Sequence, residues 1–259
     1  MGFVEDLPEN AAKRKFIVVV DRVKFDRAVN GLDDARPQAR RLDTAFLNAN
    51  AAIEPPSRIT RILSDQNLLF EGNVLVQSPF DQNHYALFAE AERTFAVEKF
   101  MGITEVCRLL GATQVTISSV ERVERKRGWG ARIGVLVPDE ADVNAETKRT
   151  AATDLERQLK VIAKFDGGAP LIEAAQARLD AMHLGADAEL QSLIDGRSGD
   201  GLHLKSREVY TNLSEETNRL LTIGLNIDIE GFGKLPAGFD LSDQRSSRYE
   251  VRFEVKFGD

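Results

Sequence analysis

The sequence predicts an α+β fold, an antiparallel, twisted sheet with amphipathic helices packed on one face. Three observations carry this expectation. Two nine-residue runs, 221–229 and 249–257, alternate strictly between apolar and polar side chains, and a strand sends successive side chains to opposite faces. Ala96, Phe100, Ile103, Cys107 and Leu110 recur at steps of four and three, which makes one apolar helical stripe. Residues 16–20 are continuously apolar and mostly β-branched, the pattern of a buried strand.

Taken in order, the first element is that strand at 16–20. Pro37 then opens a helix in which Ala39, Leu42, Phe46, Ala49 and Ile53 share a face, ended by Pro55-Pro56. Residues 68–76 read as strand, interrupted at Gly72-Asn73. The longest helix is expected over 84–110, capped by Asp81 or Asn83, with Gly111 in the left-handed position past its end. A strand from Thr113 and another over 131–137 read as a hairpin. A helix over 145–165 places Ala152, Leu155, Leu159 and Ile162 on one face, and Gly167-Gly168 stops it. Pro170 restarts the chain into a helix carrying Leu171, Ala175, Leu179 and Met182. Residues 195–201 form a turn-rich break, and a strand over 205–213 leads into a terminal hairpin, 221–257, built from the two alternating runs.

A chain of 259 residues buries a sizeable core, either as one domain, 1–259, or as lobes 1–138 and 139–259 divided at an acidic stretch. With 42% hydrophobic and 29% charged residues, disordered and fibrous classes are excluded. A net charge of −7 argues against broad binding to nucleic acid or anionic membrane. Cys107 is the only cysteine, so neither an intramolecular disulfide nor a multi-cysteine metal site is possible. The first residues lack a secretory apolar core, and Asp6 stands where a myristoylation signal needs Ser or Thr. No apolar run approaches the roughly 20 residues of a membrane-spanning helix. A cytoplasmic protein without a constitutive membrane span is expected.

The chemistry-bearing residues mostly take structural readings. His84, His183 and His203 lack zinc-pair spacing and read as surface or capping residues. Gly231-Phe232-Gly233-Lys234 is followed by Leu235-Pro236 rather than Ser or Thr, so it reads as a connecting loop and not a phosphate cradle. Cys107 lies on the apolar stripe and reads as a buried small hydrophobe. The acidic pairs Asp33-Asp34 and Glu215-Glu216 read as solvated. No catalytic residue, cofactor or metal is expected. A site assembled from scattered carboxylates leaves no sequence trace, so an enzyme is a remaining alternative.

One cluster rises above this background. Arg122, Arg125, Lys126 and Arg127 gather beside Trp129 in an otherwise acidic chain. Such a basic tip with one aromatic suits an anionic partner, a nucleic-acid phosphate or a lipid headgroup, and the competing reading is a solvated turn. The terminal hairpin also has two readings. Its runs are just long enough for the ~9–11 residues of a membrane-crossing strand, yet any half-buried sheet alternates the same way. The sequence therefore favours a non-catalytic interaction or assembly subunit that forms a homo-oligomer. The alternative is a pore-forming type of protein that releases the 221–257 hairpin into a membrane.

Overall fold

A computed structural model of the chain describes residues 10, 14–30, 44–49, 57–124, 155, 159, 163–199, 204–224 and 247–258. The fold is α+β, with helices beside one mixed and one antiparallel sheet. The described residues fall into two compact units, one within Met1–Thr94 and Thr217–Leu241, the other within Phe95–Glu216 and Ser242–Asp259.

The first unit is built on a sheet of β1 (Phe16–Val20), β2 (Thr44–Asn48), β3 (Val74–Gln77) and β4 (Tyr85–Leu87), in the order β2-β1-β3-β4. β1 and β2 run parallel, with Phe16 opposite Thr44 and Val20 opposite Asn48. Parallel neighbours need a crossover, and α1 (Arg22–Asn30) lies on that path. β3 joins β1 antiparallel, and β4 joins β3 antiparallel. Every residue of β1, β2 and β3 is buried, so the sheet is covered on both faces. That is why 16–20 is continuously apolar rather than alternating. Ile17, Val19, Ala45, Leu47 and Leu75 form one core with Ile59 and Leu63 of α2 (Arg58–Asp65). The Ser57 hydroxyl caps α2 by accepting from the Thr60 N–H at 3.1 Å.

Two expectations change here. Residues 44–48 are a strand, not part of a helix opened by Pro37, because Ala45 and Leu47 between the helically spaced positions are apolar and buried too. Ala49 follows in a turn, its N–H donating to the Val20 carbonyl, and the remainder of that expected helix lies outside the described residues. In the span 68–76 only Val74 onward is strand, and Gly72, at φ 90°, turns the chain into it.

The second unit contains an antiparallel sheet of β5 (Ala112–Glu124), β6 (Ala163–Lys164), β7 (Ser206–Asn212) and β8 (Ser247–Phe257), in the order β6-β5-β8-β7. α3 (Ala91–Leu109) carries the expected stripe, and Ala96, Phe100, Ile103, Cys107 and Leu110 are all buried. The Phe100 ring meets the Phe253 ring edge-on at 5.7 Å, which seats α3 against the inner face of β8. Gly111 is left-handed at φ 81°, and a Cβ there would clash with the Gly168 carbonyl oxygen. α4 (Ile172–Ala181) buries Ala175 and Leu179, with Met182 buried just past its end, while Leu171 is exposed. An unanticipated helix, α5 (Ala188–Asp195), is capped by Asp187, which accepts from the Glu189 and Leu190 N–H groups.

Three further corrections follow. α3 begins at Ala91 rather than 84, since 85–87 pair with β3, and Asp81 instead accepts from the Asn83 N–H in a turn. Leu155 and Leu159 are helical and buried as expected, but residues 163–164 pair with β5 instead of extending that helix. The terminal hairpin is not formed as read. Residues 221–224 belong to α6 (Glu215–Gly224), whose buried Thr217 and Leu221 are one helical turn apart. β8 pairs with β5 on one side and β7 on the other. Residues 225–229, and the strand expected at 131–137, lie outside the described residues.

Candidate functional site

The exposed face of the β5–β8–β7 sheet is the candidate. β8 turns Tyr249, Val251, Phe253, Val255 and Phe257 inward, all buried, and Arg252, Glu254 and Lys256 outward. β7 follows the same phase: Val209 and Thr211 are buried, whereas Ser206, Glu208 and Tyr210 are exposed. In register, Glu208 stands opposite Glu254, and Tyr210 opposite Arg252. Like charges directly opposite repel. Here each acid is drawn to a neighbouring cation instead, Arg252 Nε lying 3.7 Å from Glu208 and Lys256 Nζ 3.3 Å from Glu254. Such exposed pairs contribute about 0–1 kcal/mol, so they arrange the surface more than they stabilise it.

β5 completes the face. Its ladder with β8 shifts register between Ile117 and Ser119, and the extra residue, Ser118, is exposed. The shift keeps Val120 opposite Val251 and Ser119 opposite Arg252, so inward and outward faces stay in phase along the strand. Farther along, Glu121 stands opposite Glu250. Burial pushes the Glu250 carboxyl above the usual carboxylate range, and the Glu121 charge adds to the shift.

The inner side of the same sheet holds two buried cations. Lys99, in the middle of α3, is 1% exposed. Its ammonium donates to the Asn212 carbonyl at 2.7 Å and to both Glu216 oxygens at 2.9 and 3.0 Å. These contacts tie α3 to the end of β7 and the first turn of α6, on either side of the turn that joins them. In that turn the Ser214 hydroxyl accepts from the Tyr249 N–H at 2.8 Å, and Ser214 N–H donates to the Asn212 side chain. Arg197 is 4% exposed and donates to the carbonyls of Leu110 and Leu204, with its guanidinium 4.7 Å from the centre of the Phe257 ring. A cation at the Leu110 carbonyl suits the C-terminal end of α3, and burial lowers its pKa. Both cations spend their hydrogen bonds on the scaffold. Cys107 is buried, and burial pushes its thiol up to about 12, which suits a core position rather than a nucleophile.

Of the residues singled out in the sequence, Arg122 lies in β5 with its Cα opposite Tyr249. Arg125, Lys126, Arg127 and Trp129 lie outside the described residues. His183, at φ 57°, ends α4, as its N–H donates to the Asp180 carbonyl and the next N–H, from Leu184, reaches back to Leu179. Glu216 is not simply solvated, since it holds Lys99. Lys99 itself was missed, although its place three residues after Ala96 and four before Ile103 put it on the buried stripe. Tyr210 and Glu208 had a signal as well, alternating with Val209 in a short strand. Among the described residues, no three His, Cys, Asp or Glu side chains gather as a metal-binding set, and no helix is long and apolar enough to cross a membrane. No protein-family model matches this chain, and no curated protein or solved structure matches it significantly.

Proposed function

We propose that this chain is a non-catalytic interaction subunit of the cytoplasm that assembles with copies of itself through the β7–β8 side of its second sheet. The observation that carries this reading is β7 itself, which lies at the sheet edge among the described residues and displays Glu208 and Tyr210 beside Arg252 and Lys256 on a sheet whose other side is buried. Rigid polar strands of this kind set register and specificity in protein contacts more than they supply raw affinity. The buried Lys99–Glu216 pair and Arg197 support it, because they hold the sheet, its flanking helices and the strand ends in one geometry. Size-exclusion chromatography with light scattering tests it. A concentration-dependent rise above the monomer mass of 28.7 kDa is expected, and a constant monomer mass contradicts the reading.

A second reading concerns the basic cluster. β5 remains paired with β8 as far as Glu124 opposite Ser247, so Arg125, Lys126, Arg127 and Trp129 follow in sequence after the end of a 13-residue strand. A cationic run of sequence next to a paired strand suits an anionic partner, either nucleic-acid phosphate or a lipid headgroup.

A further inference from the structure

We infer that the edge of β7, which has no neighbouring strand beyond it among the described residues, docks the same strand of a second copy of this chain, antiparallel about a two-fold axis, with Glu208 opposite Tyr210 of the partner subunit. This rests on the self-association reading and gives it a surface and a register. Among the described strands, four lie at sheet edges. β2 is buried along its whole length, β4 has three residues and β6 two. β7 has seven, and its outward side chains are exposed, Tyr210 by 49%.

The hydrogen-bond phase shows which backbone groups of β7 face away from β8. The Lys205 carbonyl accepts from the Phe257 N–H, and the Leu213 N–H donates to the Tyr249 carbonyl. Bonded pairs alternate along an antiparallel ladder, so 207, 209 and 211 also face β8. Ser206, Glu208 and Tyr210 therefore turn their N–H and C=O groups away from the sheet. The Asn212 carbonyl already takes Lys99, which marks one end of that run. Edge strands are usually blunted by proline, a bulge or lysine. β7 contains neither proline nor lysine, and its pairing with β8 has no register shift. Arg207 is drawn to α5, where it meets Glu189 at 3.1 Å.

Charge selects both the occupant and the register. A two-fold antiparallel pairing must set outward-facing residues against outward-facing residues. Centred on Glu208, it would oppose two carboxylates, which is destabilising. Moved by one step, it sets Glu208 against Tyr210, Ser206 against Asn212 and Val209 against its own copy. The incoming carboxylate then lies beside Tyr210, whose other neighbour is Arg252. Each copy thus offers an acid to the other's cationic side. The two central pairs exchange about four backbone bonds. A contact of this size falls below the ~1,000 Å² of a stable interface, so a weak, reversible dimer is expected.

The test is sedimentation equilibrium of the full chain across the micromolar range, with denaturant midpoints as a check on folding. Tyr210→Pro removes an N–H that β8 does not use and should abolish the dimer while leaving the fold intact. Tyr210→Lys should tighten the dimer and Tyr210→Glu weaken it, each by about two- to tenfold, because position 210 faces Glu208 of the partner subunit twice per dimer. Both substitutions sit on an exposed side chain, so they decide the matter even if the proline variant unfolds. A wild type that associates equally well with all three variants overturns this interface while self-association stands. Equal effects of lysine and glutamate overturn the register and with it the inference. A wild type that stays monomeric throughout overturns both readings and leaves the edge to a strand from another protein.

Discussion

Lys99 illustrates how one buried charge organises its surroundings. Taking an ammonium out of water costs several kcal/mol unless its donors are met by well-placed acceptors, and here a carbonyl and a carboxylate meet it within 3.0 Å. Cys107, two turns farther along the same helix, shows the opposite outcome of burial. Its surroundings disfavour the thiolate and raise its pKa to about 12. It should resist thiol reagents in the native protein and react fully only after unfolding, as a labelling time course with and without denaturant reads directly. Rapid native labelling would reopen a thiol-based mechanism.

The opposed pair Glu121 and Glu250 makes a pH-dependent prediction. The folded-state pKa of Glu250 is raised, so the folded protein holds that proton more tightly than the unfolded chain. Ionised Glu250 therefore subtracts stability as pH rises through its folded value, and the loss is absent below its unfolded value. Glu121→Gln removes the neighbouring charge. It should stabilise the fold by about 0.2–1 kcal/mol at pH 7 and by nearly nothing at about pH 3, where the Glu250 carboxyl is protonated and no like-charge pair remains. An equal gain at both values would show that charge repulsion is not the cause.

Among the elements, α3 is the one whose packing is most directly testable. Its stripe is buried along its length, and Phe100 is 4% exposed with its ring against Phe253. Phe100→Ala should cost about 3–5 kcal/mol, since the lost contacts and the residual cavity add. A shift of denaturant midpoint equivalent to less than about 0.5 kcal/mol would place the stripe on a solvent or partner face. The end of α3 is held by different means. The left-handed Gly111 lets the chain turn under the Gly168 carbonyl, while Arg197 takes the carbonyl of Leu110, just past the helix end.

At the scale of the whole molecule, an acidic chain displays an alternating polar sheet face in one place and concentrates cations in another. Replacing Arg125, Lys126 and Arg127 with Ser should leave folding within about 0.5 kcal/mol, because clustered cations repel and contribute little to stability. The same variant should elute from an immobilised polyanion such as heparin at lower salt than the wild type, since fewer screened contacts remain. Elution at unchanged salt would return the cluster to a solvated turn. The variant should keep any β7-dependent association, so the two surfaces separate in one pair of measurements.

The sequence by itself determined the α+β class, the buried strand at 16–20, the stripe of α3 and the alternation of β8, because each is a local rhythm of apolar side chains. It also placed Gly111 at a left-handed turn and Cys107 in the core. Tertiary structure decided the rest. Residues 44–48 carry Phe46 of a helically spaced series, yet the chance to pair beside β1, with both faces covered, makes them a strand. Residues 221–224 alternate like a strand, yet they complete a helix that Glu215 and Glu216 favour at its first turn. The partners of β8 were not legible, since alternation tells which face a strand buries and not which strand lies beside it. The candidate surface was half legible for the same reason. The signs along 250–256 could be read from the chain, but only β7 arriving on the far side of β8 set Glu208 and Tyr210 beside them, at the sheet edge among the described residues, because strand order depends on long-range pairing that no local pattern encodes.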